Sequence, residues 1–128
     1  MKLTNQQIFD KALFGIRGQG YKQAAGKHTG CKYLTATVAG EELRCAVGHC
    51  LPRDIATRWD YTQPARDTDI LTMSEVHPED FQALFSKDQL DFLSDLQGAH
   101  DFYLNCAEQW ESRMQEIADL YNLTYTPA

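Results

Sequence analysis

Between Lys32 and Pro52 apolar and polar residues alternate with a period of two. Leu34, Ala36 and Val38 fall on one side of an extended strand, and Tyr33, Thr35 and Thr37 on the other. Ala39-Gly40 supplies a turn, because glycine accepts positive φ without a Cβ clash. On the return, Leu43, Cys45 and Val47 alternate with Glu42, Arg44 and Ala46. The spacing predicts an antiparallel hairpin over residues 31–48, with both apolar sets on one buried face and Glu42 and Arg44 towards water. A two-stranded ribbon is marginal alone, so helices must cover that face. Gly48 marks a change of direction, and Pro52 suits the first turn of a short helix in which Ile55 and Trp59 stack four apart.

Elsewhere the pattern is helical. Thr4 and Gln7 form a capping box, Leu3 and Ile8 a hydrophobic staple, and Ile8, Phe9, Ala12, Leu13 and Ile16 an apolar stripe that ends at Gly18 and Gly20. Residues 19–32 read as a loop. Residues 60–76 read as irregular, pinned to the core by Ile70, Leu71 and Met73. Pro78, followed by Glu79 and Asp80, opens a helix with Phe81, Leu84 and Phe85 on its apolar face. Ser86 and Gln89 form a second capping box, continued by Leu90, Leu93, Leu96 and Gln97. Gly98 costs about 1 kcal/mol relative to Ala, so the helix either kinks there or runs on. Tyr103, Ala107, Trp110, Met114, Ile117 and Tyr121 make a further stripe, Asn122-Leu123 a left-handed stop, and 124–128 a loose tail.

The fold class expected is α+β, a single domain over 1–128: a helix within 1–20, one antiparallel hairpin in 31–48, a helical hairpin or bundle in 78–122 packed on it, and a tail from 123. The expected core is Phe9, Leu13, Leu34, Val38, Leu43, Cys45, Val47, Leu93, Leu96, Trp110, Met114 and Ile117. The length suits one core. No run spans a membrane, and Met1–Gln7 lacks a signal-peptide core, which points to the cytoplasm. A net charge of −6 argues against duplex nucleic acid as partner and fits a basic protein surface. The carboxylates read as scattered rather than striped, which argues against nucleic-acid mimicry.

The Cys, His and basic residues admit three chemistries. Cys31, Cys45, His49 and Cys50 offer soft ligands for zinc, but there is no Cys-x-x-Cys and adjacent His49 and Cys50 cannot easily converge on one ion. Packing is the simpler role, with Cys45 as a core residue and no cofactor. A thiol enzyme would use Cys50, whose place near a helix N-terminus favours a depressed pKa, with His49 or His100 as base. Asp101 adjoins His100 on a helix, so the two diverge by about 100° and Asp101 is a poor orienter. His100 is instead expected to bond within the fold, to the elbow backbone or the irregular segment. Lys22, Lys27 and His28, with Arg44, concentrate positive charge where a small anionic nucleotide would sit. Gly26–Gly30 lacks the Walker pattern. Among aromatic residues, Phe102, Trp110 and Tyr121 are interface candidates.

Cys31, a strand pair, Cys45-Ala46-Val47-Gly48 with Leu51-Pro52, the segment Leu96-Gln97-Gly98-Ala99-His100-Asp101 and a Trp-bearing terminal helix at Trp110 occur together over residues 5–123. This combination resembles small bacteriophage-encoded accessory proteins of unknown function. The resemblance implies a phage or prophage origin, the host cytosol and an accessory role, with no reaction attached. The function expected is binding of a host protein, as an anti-defence inhibitor or by redirecting host machinery. The alternatives are a sequestering binder of an anionic nucleotide signal and a Cys/His metal- or thiol-dependent enzyme.

Overall fold

The computed structural model describes residues 2–26, 30–36, 40–62 and 70–128. It is an α+β fold: an N-terminal helix, a hairpin with its elbow, and a helical C-terminal half. Helix α1 (Asn5–Gly18) starts at the expected capping box, with Thr4 Oγ1 accepting from the Gln7 amide and Gln7 Oε1 from the Thr4 amide. All five residues of its apolar stripe are buried. It ends in a Schellman motif: Tyr21 N donates to Ile16 O and Gly20 N to Arg17 O.

Strands β1 (Ala25–Gly26) and β2 (Gly30–Cys31) form a small antiparallel ribbon within the segment read as loop. Strands β3 (Leu34–Ala36) and β4 (Glu42–Arg44) form the expected hairpin, with a shorter ladder than 31–48. Gly40 takes φ +85°, as the turn requires, while Ala39 and Val38 lie outside the described residues.

The first strand presents the face opposite to the expected one. Thr35 pairs with Leu43, and Cys45 N donates to Tyr33 O, so Tyr33 and Leu43 share the buried side. Tyr33 is fully buried and Leu34 half-buried, opposite Arg44. A one-residue shift of register exchanges the faces of a strand. Tyr33 carries more burial area than Leu34, and its ring meets Trp59 edge to face at 5.4 Å. The Asp60 carboxylate then fixes the position by accepting the Tyr33 and Leu34 amides at 2.8 and 2.9 Å.

Val47 does not continue the strand. Val47–Cys50 is a 3-10 turn, and helix α2 (Arg53–Thr62) follows it, extending beyond Trp59. Residues 63–69 lie outside the described residues. The segment read as irregular ends in a helix, α3 (Ile70–Val76), which buries Ile70 and Met73 and leaves Leu71 exposed. Helix α4 (Pro78–Leu84) begins at its proline and buries Phe81. The Ser86/Gln89 box opens a 3-10 turn leading into α5 (Leu90–Tyr103), which runs through Gly98 without a break. The break falls at Leu104–Cys106, before α6 (Ala107–Leu120). Helix α6 returns beside α5, where the Tyr121 ring packs on Phe92 and its hydroxyl donates to Asp95. Asn122 takes φ +56°, and Leu123 N reaches Ala118 O at 2.8 Å, completing the expected stop.

The tail is not loose. Gln6 and the backbone of Thr124 exchange two hydrogen bonds, and Arg17 donates to Thr126 O at 2.7 Å. Of the expected core, Phe9, Leu13, Leu43, Cys45, Val47, Leu93, Leu96, Trp110, Met114 and Ile117 are buried, Leu34 is half-buried, and Val38 lies outside the described residues. Tyr33, Trp59, Phe81, Phe85 and Phe92 add its largest further side chains.

Candidate functional site

The Cys/His elbow is built by close approach. A Cβ on Gly48 would lie 2.0 Å from Tyr33 O, and one on Gly15 would lie 2.4 Å from the His49 ring. Glycine at both places lets the 3-10 turn sit between β3 and α1. The turn is then held from every side. Arg44 Nη1 donates to Gly48 O and Leu51 O at 3.2 and 2.8 Å. Gln19 donates to Lys22 O and Arg44 O, and its Oε1 accepts from Arg44 N and His49 Nε2.

This packing consumes the chemistry the sequence offers. Cys45 is fully buried and its Sγ accepts the Gly48 amide at 3.2 Å; burial raises its pKa well above the ordinary thiol value. Cys50 donates its thiol proton to Ile8 O at 3.7 Å, and burial pushes it up to about 12. Being near a helix N-terminus was expected to lower it; desolvation wins. Burial, then the nearby Arg44 charge, lowers His49 to about 4, so it is neutral at pH 7. Cys45, Cys50 and Cys106 are free thiols.

His100 bonds within the fold, as expected, but its partners are the Ala24 amide and Asp101 rather than the elbow backbone or the irregular segment. It is fully buried, with Nδ1 2.8 Å from Asp101 Oδ1 and Nε2 accepting the Ala24 amide at 3.2 Å. A nitrogen that accepts an amide hydrogen carries no proton, so Nδ1 bears the hydrogen and donates to Asp101. Adjacent helical residues thus do meet, contrary to the divergence expected from helix geometry. Gln97 Nε2 also donates to Asp101 Oδ1, and Gln97 Oε1 accepts from Val47 N. The chain of bonds from Ala24 through His100, Asp101 and Gln97 to Val47 ties α5 to the elbow and to the segment before β1. Neither ring nitrogen of His100 is left to move a proton for a substrate.

The other sequence candidates separate. Lys22 pairs with Glu41 at 3.0 Å, and Arg44 faces backbone carbonyls rather than a ligand space. Lys27 and His28 lie outside the described residues, as does the Cys31 side chain. Among the described residues no group of three or more His, Cys, Asp or Glu side chains is placed to hold a metal ion. Trp110 is fully buried, edge-on to Tyr21 at 5.8 Å, and Tyr121 is half-buried; Phe102 alone of the three interface candidates is strongly exposed, at 75 %.

Two surfaces went unread in the sequence. One is the outer face of α2, a cleft of about 820 Å³ lined by Arg53, Asp54, Thr57, Arg58, Tyr61 and Thr62, with Tyr61 91 % exposed. Its cations are paired, Arg53 with Glu42 and Arg58 with Asp80. The other is a groove of about 480 Å³ where the end of α5 meets α6, lined by Tyr103, Glu108, Gln109, Ser112, Arg113 and Glu116. Its signal was available in the sequence. Lys87 and Arg113 are the only Lys or Arg after residue 85, against eight carboxylates, so residues 86–128 carry the whole net charge of −6.

A third polar cluster is structural. Arg17 makes a two-pronged bond to Glu111 at 2.8 and 2.6 Å, and Tyr21 and Tyr125 hydroxyls donate to the same carboxylate. Burial pushes the Glu111 carboxyl up, but the bonds from Arg17, Tyr125 and Tyr21 outweigh it and hold it below its ordinary value. Among the described residues no helix is long and apolar enough to cross a membrane. Comparison with protein-family models, curated proteins and solved structures found no match to this chain.

Proposed function

We propose that this chain is a bacteriophage-encoded accessory protein that works by binding a host protein in the host cytoplasm, without a reaction of its own. Inhibition of a host defence protein is a form of that role that needs surface complementarity and no catalytic group. The observation that carries the reading is the contrast between interior and surface. Cys45, Cys50 and His100 are buried and hydrogen-bonded, and half-buried His49 is bonded to Gln19, whereas Tyr61 and Phe102 stand in water. Exposed aromatic side chains beside grooves are the raw material of protein interfaces. The likeness of the Cys-Ala-Val-Gly and Leu-Gln-x-x-His-Asp segments to phage accessory proteins supports the same reading. The nucleotide-binding alternative is weakened at Arg44, whose guanidinium donates to Gly48 O and Leu51 O within the elbow.

The test is capture from a bacterial host lysate on the immobilised chain, followed by sedimentation of the purified pair. One protein retained at fixed stoichiometry is the expected result. Failure to retain any such protein, together with a turnover activity abolished by Cys50→Ser in a folded variant, would replace the binder with a thiol enzyme.

A further inference from the structure

The groove beside Tyr103 combines three features that occur nowhere else among the described clefts. Glu108 and Glu116 stand two turns apart on α6, with polar Gln109 and Ser112 between them. An aromatic ring, Tyr103, 43 % exposed, forms its other side, and exposed Phe102 adjoins it. The surrounding helices carry the chain's whole excess of negative charge. The groove's one cation, Arg113, is paired with Glu116 at 3.3 Å in an exposed contact three residues apart. Such a pair exchanges readily for a better-placed guanidinium.

We infer that this groove receives a basic segment of a partner protein, with an arginine or lysine entering between the Glu108 and Glu116 carboxylates and against the Tyr103 ring. The inference deepens the protein-binding reading and rests on it. Charge complementarity selects the occupant. Carboxylates bind guanidinium through paired N–H···O contacts, and an aromatic face attracts the same cation. An acidic or apolar segment would bury the Glu108 carboxylate without supplying a cation for it. Long-range attraction from the acidic helical pair would also speed the encounter, and salt would slow it.

The probe is a fluorescein-labelled octapeptide of alternating arginine and leucine, titrated by fluorescence anisotropy at low and moderate salt. Glu108→Gln/Glu116→Gln should weaken its binding at least tenfold and Tyr103→Ala at least fivefold. Tyr103→Phe, which keeps the ring, should bind as the parent chain does. Glu75→Gln/Glu79→Gln removes the same charge from α3 and α4 and should change affinity less than twofold. Circular dichroism melts identify any variant that has lost its fold, and Tyr103→Phe with the α3/α4 pair keeps the comparison informative if one has. Equal weakening by the two glutamate pairs would mean that overall acidity alone attracts the peptide and would overturn the inference. So would equal binding of a glutamate-leucine peptide, or a dimer of this chain dissolved by Glu108→Gln/Glu116→Gln. A captured host protein retained undiminished by that double variant removes the groove but leaves the protein-binding reading in place. If the parent chain captures nothing, that reading fails, and the peptide titration judges the groove by itself.

Discussion

At Gly48 a methyl group would meet the Tyr33 carbonyl 2.0 Å away, and that carbonyl is fixed because it accepts the Cys45 amide. Gly48→Ala should therefore cost about 1–3 kcal/mol, the range for forcing extra volume into a packed site. Urea denaturation measures it, and a loss below about 0.5 kcal/mol would mean that the elbow is not held against β3 as described. His49 makes the elbow sensitive to pH. Its pKa falls from 6.5 to about 4 on folding, chiefly through burial. Below pH 6.5 the unfolded chain takes up a proton that the folded chain refuses. Stability is therefore full above pH 6.5 and falls as pH drops towards 4, where the folded ring protonates too and the loss levels off. With the ring's partial exposure discounted, the loss is about 1–2 kcal/mol. His49→Gln should flatten that part of the profile of unfolding midpoint against pH; an unaltered slope would assign the dependence to other groups.

Between elements, the contacts that matter most join segments far apart in the chain. Arg17 on α1, Tyr21 just after it, Glu111 on α6 and Tyr125 in the tail share one carboxylate. The Arg17 and Glu111 side chains are 13 % and 15 % exposed, so neither partner is well hydrated when the other is removed. Glu111→Gln should cost about 2 kcal/mol, the scale of hydrogen bonds to a charged group. In a double-mutant cycle Tyr125→Phe should cost less in the Glu111→Gln background than alone. Additive losses would show that the tail is anchored by other contacts. The His100–Asp101–Gln97 chain plays the corresponding part between α5 and the elbow.

Over the whole molecule, charge is unevenly divided. The residues up to 85 balance, and α5 with α6 and their flanks carry the excess. Asp119 sits where this imbalance is unfavourable. It is exposed in the last turn of α6, which has no basic residue there, at the end where the helix dipole repels a negative charge. Asp119→Lys should raise stability by about 0.5–1 kcal/mol in denaturant titrations at low salt, with the gain shrinking as salt is added. A destabilised variant would show that the local field there is positive.

Sequence alone determined the elements whose signals are local. Thr4 with Gln7, Ser86 with Gln89, Pro78 and Asn122 each mark a helix end through contacts with neighbours a few residues away, and each marks it in the structure. It also determined that Cys45 and Trp110 sit on apolar stripes. Tertiary structure decided what depends on competition between distant groups. Whether Tyr33 or Leu34 faces inward turns on Trp59 and Asp60, which no period-two pattern contains. Whether Cys50 has an activated thiol turns on burial against α1, and whether His100 has a free nitrogen turns on the Ala24 amide. Local pattern fixes where backbone bonds begin and end. Desolvation and hydrogen-bond partners, which set reactivity, are properties of the assembled interior.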